Sequence, residues 1–247
     1  MAIDLREFEK TATKIVEKAR ADGRLVDNPG TAELAAILER EPGARKTMYG
    51  NYSAQSEPTS RAAVYTKNSV DHDFGEDEVR LLEACEKALS AETLIVMDRV
   101  VGDRSSSRTV RLVIPESFAH VAFGGRSLFL EPLAPVTDPT YHIVFFYDDA
   151  FESNKALPLA KKDITIRLAM LDDGKVIKIV RNSNYIGEYK KGVFASEDWT
   201  SKTHGPGIFL HAGAREDRLQ TAHGGYRTVR TLMVALSANG KTSTTCK

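Results

Sequence analysis

Thr228-Val-Arg-Thr-Leu-Met-Val-Ala-Leu-Ser-Ala-Asn-Gly-Lys-Thr-Ser-Thr-Thr-Cys-Lys247 is the stretch on which the reading of this chain turns. Its first part, Val229 to Leu236, is an apolar, β-branched run of the kind that forms a buried strand. The run empties into Ser237-Ala-Asn-Gly-Lys-Thr-Ser243, which has the character of a phosphate-binding loop. In such a loop, backbone N–H groups and a following helix N-terminus cradle a polyphosphate. A lysine neutralises the β/γ oxygens and a hydroxyl holds the divalent metal. Those roles fall to Lys241 and Thr242. The long pattern G-x-x-x-x-G-K-[ST] lacks its first glycine, which is Ala235 here, while Gly240-Lys241-Thr242 after a strand remains. The plain alternative is an Asn-Gly turn before a polar tail. The chain ends five residues after Thr242, before a helix of two turns could follow. The expectation is therefore the front part of a longer protein. It would carry an α/β domain over residues 1–227 and the start of a P-loop nucleotide-binding domain over 228–247.

Composition narrows the classes. At 247 residues the chain can bury a sizeable core in one or two domains. The apolar and charged fractions, 42% and 28%, are those of an ordinary soluble protein. Lys plus Arg equals Asp plus Glu, 34 each, so no global field recruits nucleic acid or a membrane surface. An anionic ligand has to be held by local clusters. Cys85 and Cys246 have no metal-site spacing, and Met-Ala-Ile-Asp-Leu-Arg6 is no signal peptide. No apolar run approaches the roughly 20 residues of a membrane helix. These features predict a cytoplasmic, reducing compartment.

Upstream of the loop, the pattern is mixed. Leu5, Phe8, Ala12, Ile15, Val16 and Ala19 follow the spacing of an amphipathic helix over 4–21. Thr31 is placed to cap a second helix, closed by Pro42-Gly43. A third helix bears Val79, Leu82, Ala84 or Cys85, and Leu89 on its apolar side. Strands are predicted at 62–66, 93–97, 108–114, 141–147 and 207–211, with a short helix over 117–123. Residues 164–171 and 175–180 flank Asp172-Asp-Gly174, a strong hairpin signal. Residues 188–199 read as helix. Together these elements predict an α/β domain built on a mixed sheet.

Three places can carry chemistry. In Asn182-Ser-Asn-Tyr-Ile-Gly-Glu-Tyr-Lys-Lys-Gly192 a strand runs into a tight turn and two lysines open a helix. Cations there oppose the macrodipole, so Lys190 and Lys191 are either a solvated basic turn or serve an anion or metal. In Leu210-His-Ala-Gly213 a histidine leaves an apolar strand; such a residue is more often core or surface than ligand. Arg61, at a loop–strand junction, is a solvated arginine unless its guanidinium forks onto a carboxylate or phosphate.

Taken in order, these segments resemble the ATP-dependent phosphoenolpyruvate carboxykinase family over roughly residues 50–247. Tyr185-x-Gly-Glu-x-Lys-Lys-Gly-x-Phe194 resembles the family's Tyr-Gly-Gly-Glu-Met-Lys-Lys segment. Leu210-His-Ala-Gly resembles the segment around its metal-binding histidine. Leu236-Ser-Ala-Asn-Gly-Lys-Thr-Ser-Thr resembles its phosphate loop, and Asp98 to Ile114 resembles a segment that precedes an aromatic-rich helix. The resemblance implies a gluconeogenic lyase that turns oxaloacetate and ATP into phosphoenolpyruvate, ADP and carbon dioxide, using Mn²⁺ and Mg²⁺. It implies Lys191 and His211 as Mn²⁺ ligands and Tyr185 and Arg61 as contacts to oxaloacetate or phosphoenolpyruvate. Nucleotide would lie at His211 and along Ala235, Leu236, Ser237, Ala238, Asn239, Gly240, Lys241, Thr242 and Ser243, with Lys241 on the β/γ oxygens and Thr242 on Mg²⁺. The fold implied is the family's N-terminal domain, followed by the first strand and P-loop of its nucleotide domain.

The sequence also departs from the family. Thr-Gly-Arg-Ser becomes Thr59-Ser-Arg-Ala62, and Ala235, Ala238 and Asn239 replace Gly, Gly and Thr in the loop. About eight extra residues fall within Arg215 to Gly225, a surface excursion. The family's third metal ligand, an aspartate, and its adenine pocket belong to sequence downstream of Lys247, so the missing C-terminal part is itself an expected partner. Alternative readings are another P-loop kinase and a non-catalytic relative that binds nucleotide or a carboxylic acid.

Overall fold

The computed structural model describes residues 2–56, 64–102, 107–205 and 207–234. They fall in two compact units, residues 1–196 and 197–247. The first is built on a seven-stranded mixed sheet in the order β1-β5-β6-β7-β9-β8-β4. Its strands are β1 (Leu25–Asp27), β4 (Thr66–Asn68), β5 (Leu94–Val101), β6 (Arg108–Pro115), β7 (Tyr141–Phe146), β8 (Thr165–Met170) and β9 (Val176–Arg181). Strands β5/β6 and β8/β9 pair antiparallel, and the other neighbours pair parallel. A separate two-stranded ribbon joins β2 (Ala44–Lys46) to β3 (Tyr52–Ala54). The expected mixed-sheet α/β domain is the one observed.

Sheet and helices form because their apolar periodicities meet. β7 is buried along its whole length, as a central strand with both faces covered must be. Helix α1 (Arg6–Ala21) turns Phe8, Ala12, Ile15, Val16 and Ala19 inward. Acidic Glu7 and Glu9 sit in its first turn and basic Lys18 and Arg20 in its last, matching the helix dipole. It packs with α3 (Glu76–Leu89) over Val96, Val113, Val144, Phe146, Ile177 and Ile179. Each such aliphatic side chain, fully buried, contributes about 1.5–3 kcal/mol. The opposite face of the sheet receives α4 (Ala119–Gly125) and the start of α6 (Ile186–Thr203). There Gly125 lies against Met97 and Gly192 against Ile143 and Lys178. Helices α2 (Thr31–Leu38) and α5 (Phe151–Ala156) complete the helical set among the described residues.

Several local expectations need correction. Thr31 is the first residue of α2 rather than its cap; Gly30 holds that position, and the Thr31 hydroxyl accepts from Arg126 Nη1 at 2.6 Å. The helix ends at Leu38, short of Pro42. Val79 faces outward and Leu81 takes its place in the core, because α3 opens at Glu76 and its inward stripe runs through 78, 81, 82, 85 and 89. The strand predicted over 62–66 is Thr66–Asn68, with Ala62 and Ala63 outside the described residues. Residues 207–211 form no strand, and extended pairing begins only at Ala212.

In the second unit, β10 (Ala212–Gln220) pairs antiparallel with β11 (Tyr226–Val234) through all nine residues of each. The predicted excursion at 215–225 is the outer half of this ribbon and its turn. The predicted buried strand from Val229 is instead solvated. β11 pairs only with β10 among the described residues, and none of its side chains is buried. A two-stranded ribbon has no second layer to cover its apolar face.

Candidate functional site

The site grows from the end of β9. Arg181 and Asn182 leave the sheet and are tied at once. Arg181 Nε donates to Asp148 Oδ2 at 2.7 Å, and Arg181 Nη2 to Asp163 Oδ2 at 2.9 Å. Asn182 takes a left-handed backbone, φ 59°, a region asparagine tolerates better than most residues. Its amide donates to Asp148 Oδ1 at 2.9 Å and to the Asp163 carbonyl at 3.0 Å. Burial pushes the Asp148 carboxyl up, but Asn182 and Arg181 outweigh it and hold the group below its ordinary range.

Two residues on, the Asn184 carbonyl accepts from His120 Nε2 at 2.7 Å. A carbonyl only accepts, so Nε2 carries the hydrogen. The other ring nitrogen of His120 meets Glu41 Oε1, and the His120 backbone N–H donates to Glu41 Oε2 at 2.8 Å. Glu41 and His120 are both buried. This clamp fixes the chain immediately before Tyr185. Asn184 also borders a cavity of about 450 Å³ walled by Phe118, Tyr147, Phe151 and Ser117.

Tyr185 precedes α6, and its carbonyl accepts from the Glu188 N–H at 2.9 Å. Gly187 is required here by close approach: a Cβ would collide with the Tyr185 ring. The helix opens at Ile186, two residues earlier than predicted, so Lys190 and Lys191 lie in its second turn and Glu188 occupies the first. That removes much of the conflict with the dipole, since the acidic residue is nearest the N-terminus. Lys191 Nζ stands 5.2 Å from the centre of the Tyr185 ring and 3.0 Å from Glu188 Oε1. Lys190 Nζ instead lies over Phe194, at 5.1 Å.

Behind Glu188 is a group that sequence reading missed. Lys178, in the middle of β9, is 2% exposed. Its Nζ donates to Glu188 Oε2 and to the Glu188 carbonyl, each at 2.8 Å. Glu188 is 1% exposed, so its carboxylate is shared between a buried ammonium and the half-exposed Lys191. Burial pushes the Lys178 ammonium below its ordinary range, against the pull of Glu188. Burial also pushes the Glu188 carboxyl up, but Lys178 and Lys191 together hold it below the usual carboxylate range. Removing one member of such a buried pair costs about 3–5 kcal/mol, because the remaining charge is stranded.

Of the predicted site residues, Tyr185 and Lys191 are therefore brought together at the start of α6. His211 lies in the second unit, exposed, directly before β10. Arg61 and the whole stretch from Ala235 through Leu236, Ser237, Ala238, Asn239, Gly240, Lys241 and Thr242 to Ser243 lie outside the described residues. Among the described residues no group of three or more His, Cys, Asp or Glu side chains is arranged to hold a metal, and no helix is long and apolar enough to cross a membrane.

No curated protein matches the chain. The sequence does match the phosphoenolpyruvate carboxykinase (ATP) family over residues 53–247. That match covers most of the chain and takes in the Tyr185–Lys191 turn, the histidine before the ribbon and the phosphate-loop pattern. The chain belongs to the phosphoenolpyruvate carboxykinase family.

Proposed function

We propose that this chain contributes the substrate- and metal-facing part of a protein that converts oxaloacetate and ATP into phosphoenolpyruvate, ADP and carbon dioxide in the cytoplasm. The observation that carries the reading is the cluster at the start of α6, where Tyr185, Glu188 and Lys191 meet within the family-matched segment. Arg61 would bind a carboxylate of the dicarboxylic substrate through its two-pronged guanidinium. Tyr185, its ring held against Gly187, would pack on the same substrate. The loop from Ala235 to Ser243 would hold the ATP phosphates, with Lys241 on the β/γ oxygens and Thr242 on Mg²⁺. Residues 228–247 would then open the nucleotide domain.

Lys191 would offer one nitrogen donor to a divalent transition metal and His211 would be a second, donors that Mn²⁺ accepts alongside oxygen ligands. Once bound, the ion would act as a Lewis acid that stabilises negative charge developing on the substrate. The chain's own residues do the rest. Lys191 would ligate through its neutral amine, the proton leaving as the cation takes its place. Lys241 would offset charge on the transferring phosphoryl group, a reaction governed by positioning and electrostatics.

The test is phosphoenolpyruvate formation by the longest native form of the protein with ATP and Mn²⁺. Lys191→Ala and Lys241→Ala should each lower kcat/KM about 100-fold or more with the fold intact. Gly187→Ala, which displaces the Tyr185 ring, should raise the KM for oxaloacetate about tenfold. A wild-type protein that binds ATP but forms no phosphoenolpyruvate would establish a non-catalytic binding role in place of this one.

A further inference from the structure

We infer that Glu41 and His120 form a positioning pair that sets the orientation of Tyr185. The inference rests on the substrate contact proposed for Tyr185 and deepens it. Neither residue is near Tyr185 in sequence: Glu41 follows the end of α2 and His120 is the second residue of α4. Both are buried, as is Asn184. His120 Nε2–H donates to the Asn184 carbonyl at 2.7 Å, and that oxygen belongs to the peptide unit that carries the Tyr185 nitrogen. A peptide unit is planar, so holding its oxygen fixes the plane in which the Tyr185 Cα lies. The same unit is held at its other end, where the Tyr185 N–H donates to Ser183 Oγ at 3.3 Å. From that plane the Tyr185 ring lies against Gly187, which has no Cβ to displace it.

The pair is built so that the imidazole cannot turn. A lone histidine rotates about its side-chain bonds, and the nitrogen that carries its hydrogen is set by what the other nitrogen meets. Glu41 removes both freedoms. Its Oε1 meets Nδ1 while its Oε2 accepts the His120 main-chain N–H at 2.8 Å, so one carboxylate ties the ring to its own backbone. Nε2 is left as the nitrogen that faces Asn184, with its hydrogen directed at the carbonyl. Loss of the pair frees the peptide plane to tilt and shifts the Tyr185 ring with it. A substrate that packs on the ring is then bound less well, while the nucleotide is untouched.

The experiment uses the longest native form of the protein labelled with fluorotyrosine, in which Tyr185→Phe identifies the fluorine resonance of Tyr185. The KM values for oxaloacetate and ATP and a thermal unfolding curve are measured beside it. Glu41→Leu removes the carboxylate and leaves an imidazole that carries no obligatory charge. It should shift or broaden the Tyr185 resonance and raise the KM for oxaloacetate about tenfold, with the KM for ATP within about twofold of wild type. Glu41→Gln keeps both contacts, its amide N–H donating to Nδ1 and its oxygen accepting the His120 N–H. It should leave the resonance in place and the KM for oxaloacetate within about twofold of wild type. In a Tyr185→Ala background, Glu41→Leu should raise that KM no further, because the pair acts through the ring; a merely structural role predicts that the two effects multiply. An unshifted Tyr185 resonance in Glu41→Leu overturns the inference. So does a Glu41→Gln variant as impaired as Glu41→Leu, and so do effects that multiply in the Tyr185→Ala background. If Glu41→Leu does not fold, Glu41→Leu/His120→Phe, which keeps a ring in place and removes the buried polar pair, decides by the same limits. A Tyr185→Ala variant with the wild-type KM, or a wild type that forms no phosphoenolpyruvate, overturns the substrate role of Tyr185 proposed above. The fluorine resonance then decides the positioning of the ring by itself.

Discussion

His142 sits on β7, 4% exposed, with its Nδ1 meeting no hydrogen-bond partner among the described residues. Burial, then the Arg111 charge, lowers its pKa from 6.5 to about 4, against the weaker pull of Glu9 and Asp138. The folded protein thus keeps this ring neutral where the unfolded chain would protonate it. A folded pKa below the unfolded one means that the folded state binds fewer protons. Stability is then fully present above pH 6.5 and falls as pH drops towards 4. The loss amounts to about 3 kcal/mol over that window, at up to about 1.4 kcal/mol per unit. His142→Leu removes the titrating group and should flatten the dependence. Urea unfolding at pH 7, 6 and 5 checks this: equal slopes in wild type and variant would rule out His142 as the source. Carboxylates held below their ordinary range, such as Glu78 beside Arg167, act in a separate and more acidic window. Burial raises Glu78, but Arg167 and the Gly75 N–H outweigh it, so its contribution disappears only as pH falls below the carboxylate range.

The β8–β9 hairpin connects this buried sheet to the candidate site, and its turn depends on Gly174 at φ 88°. The Gly174 N–H donates to the Leu171 carbonyl at 2.9 Å, and the Leu171 N–H to the Lys175 carbonyl at 2.9 Å. A β-branched residue at this φ is strained, so Gly174→Val should cost about 1–2 kcal/mol. The melting temperature should fall by several degrees, and an unchanged midpoint would mean that the turn relaxes without strain. This element was legible in the sequence because its signal is local: Asp-Asp-Gly between two β-branched runs leaves few alternatives. The Tyr185–Lys191 turn was legible for a related reason, as a short motif in register with others. What was missed depends on partners distant in sequence. Lys178 interrupts an Ile/Val run and carries no sign that Glu188 lies behind it, ten positions on. The Glu41–His120–Asn184 clamp joins three separate segments. The Val229 run was read as buried because apolar content records a tendency to be covered, and content alone does not supply the covering layer.

At the scale of the molecule, burial is unevenly divided. Every buried apolar side chain among the described residues falls between Phe8 and Val193. The ribbon formed by β10 and β11 buries none, and Leu219, Tyr226, Leu232 and Val234 are all largely exposed. Its order comes from the ladder, from ion pairs such as Arg230 with Glu216 at 2.7 Å, and from the tight turn that closes it. Between α6 and β10 the chain has no regular structure over 207–211, and Ile208 and Leu210 are 80% and 50% exposed. Exposed irregular chain with apolar side chains is where a protease of chymotrypsin type cuts first. Brief digestion should therefore cleave near Phe209 or Leu210 and leave a fragment that retains α1 to α6 and the whole sheet. Hydrophobic burial sets the cooperative transition, and every buried apolar side chain among the described residues lies in this fragment, so its melting temperature should stay within about 2 °C of the intact chain. A fall of more than about 5 °C would mean that the ribbon supports the sheet domain energetically despite burying no apolar side chain of its own.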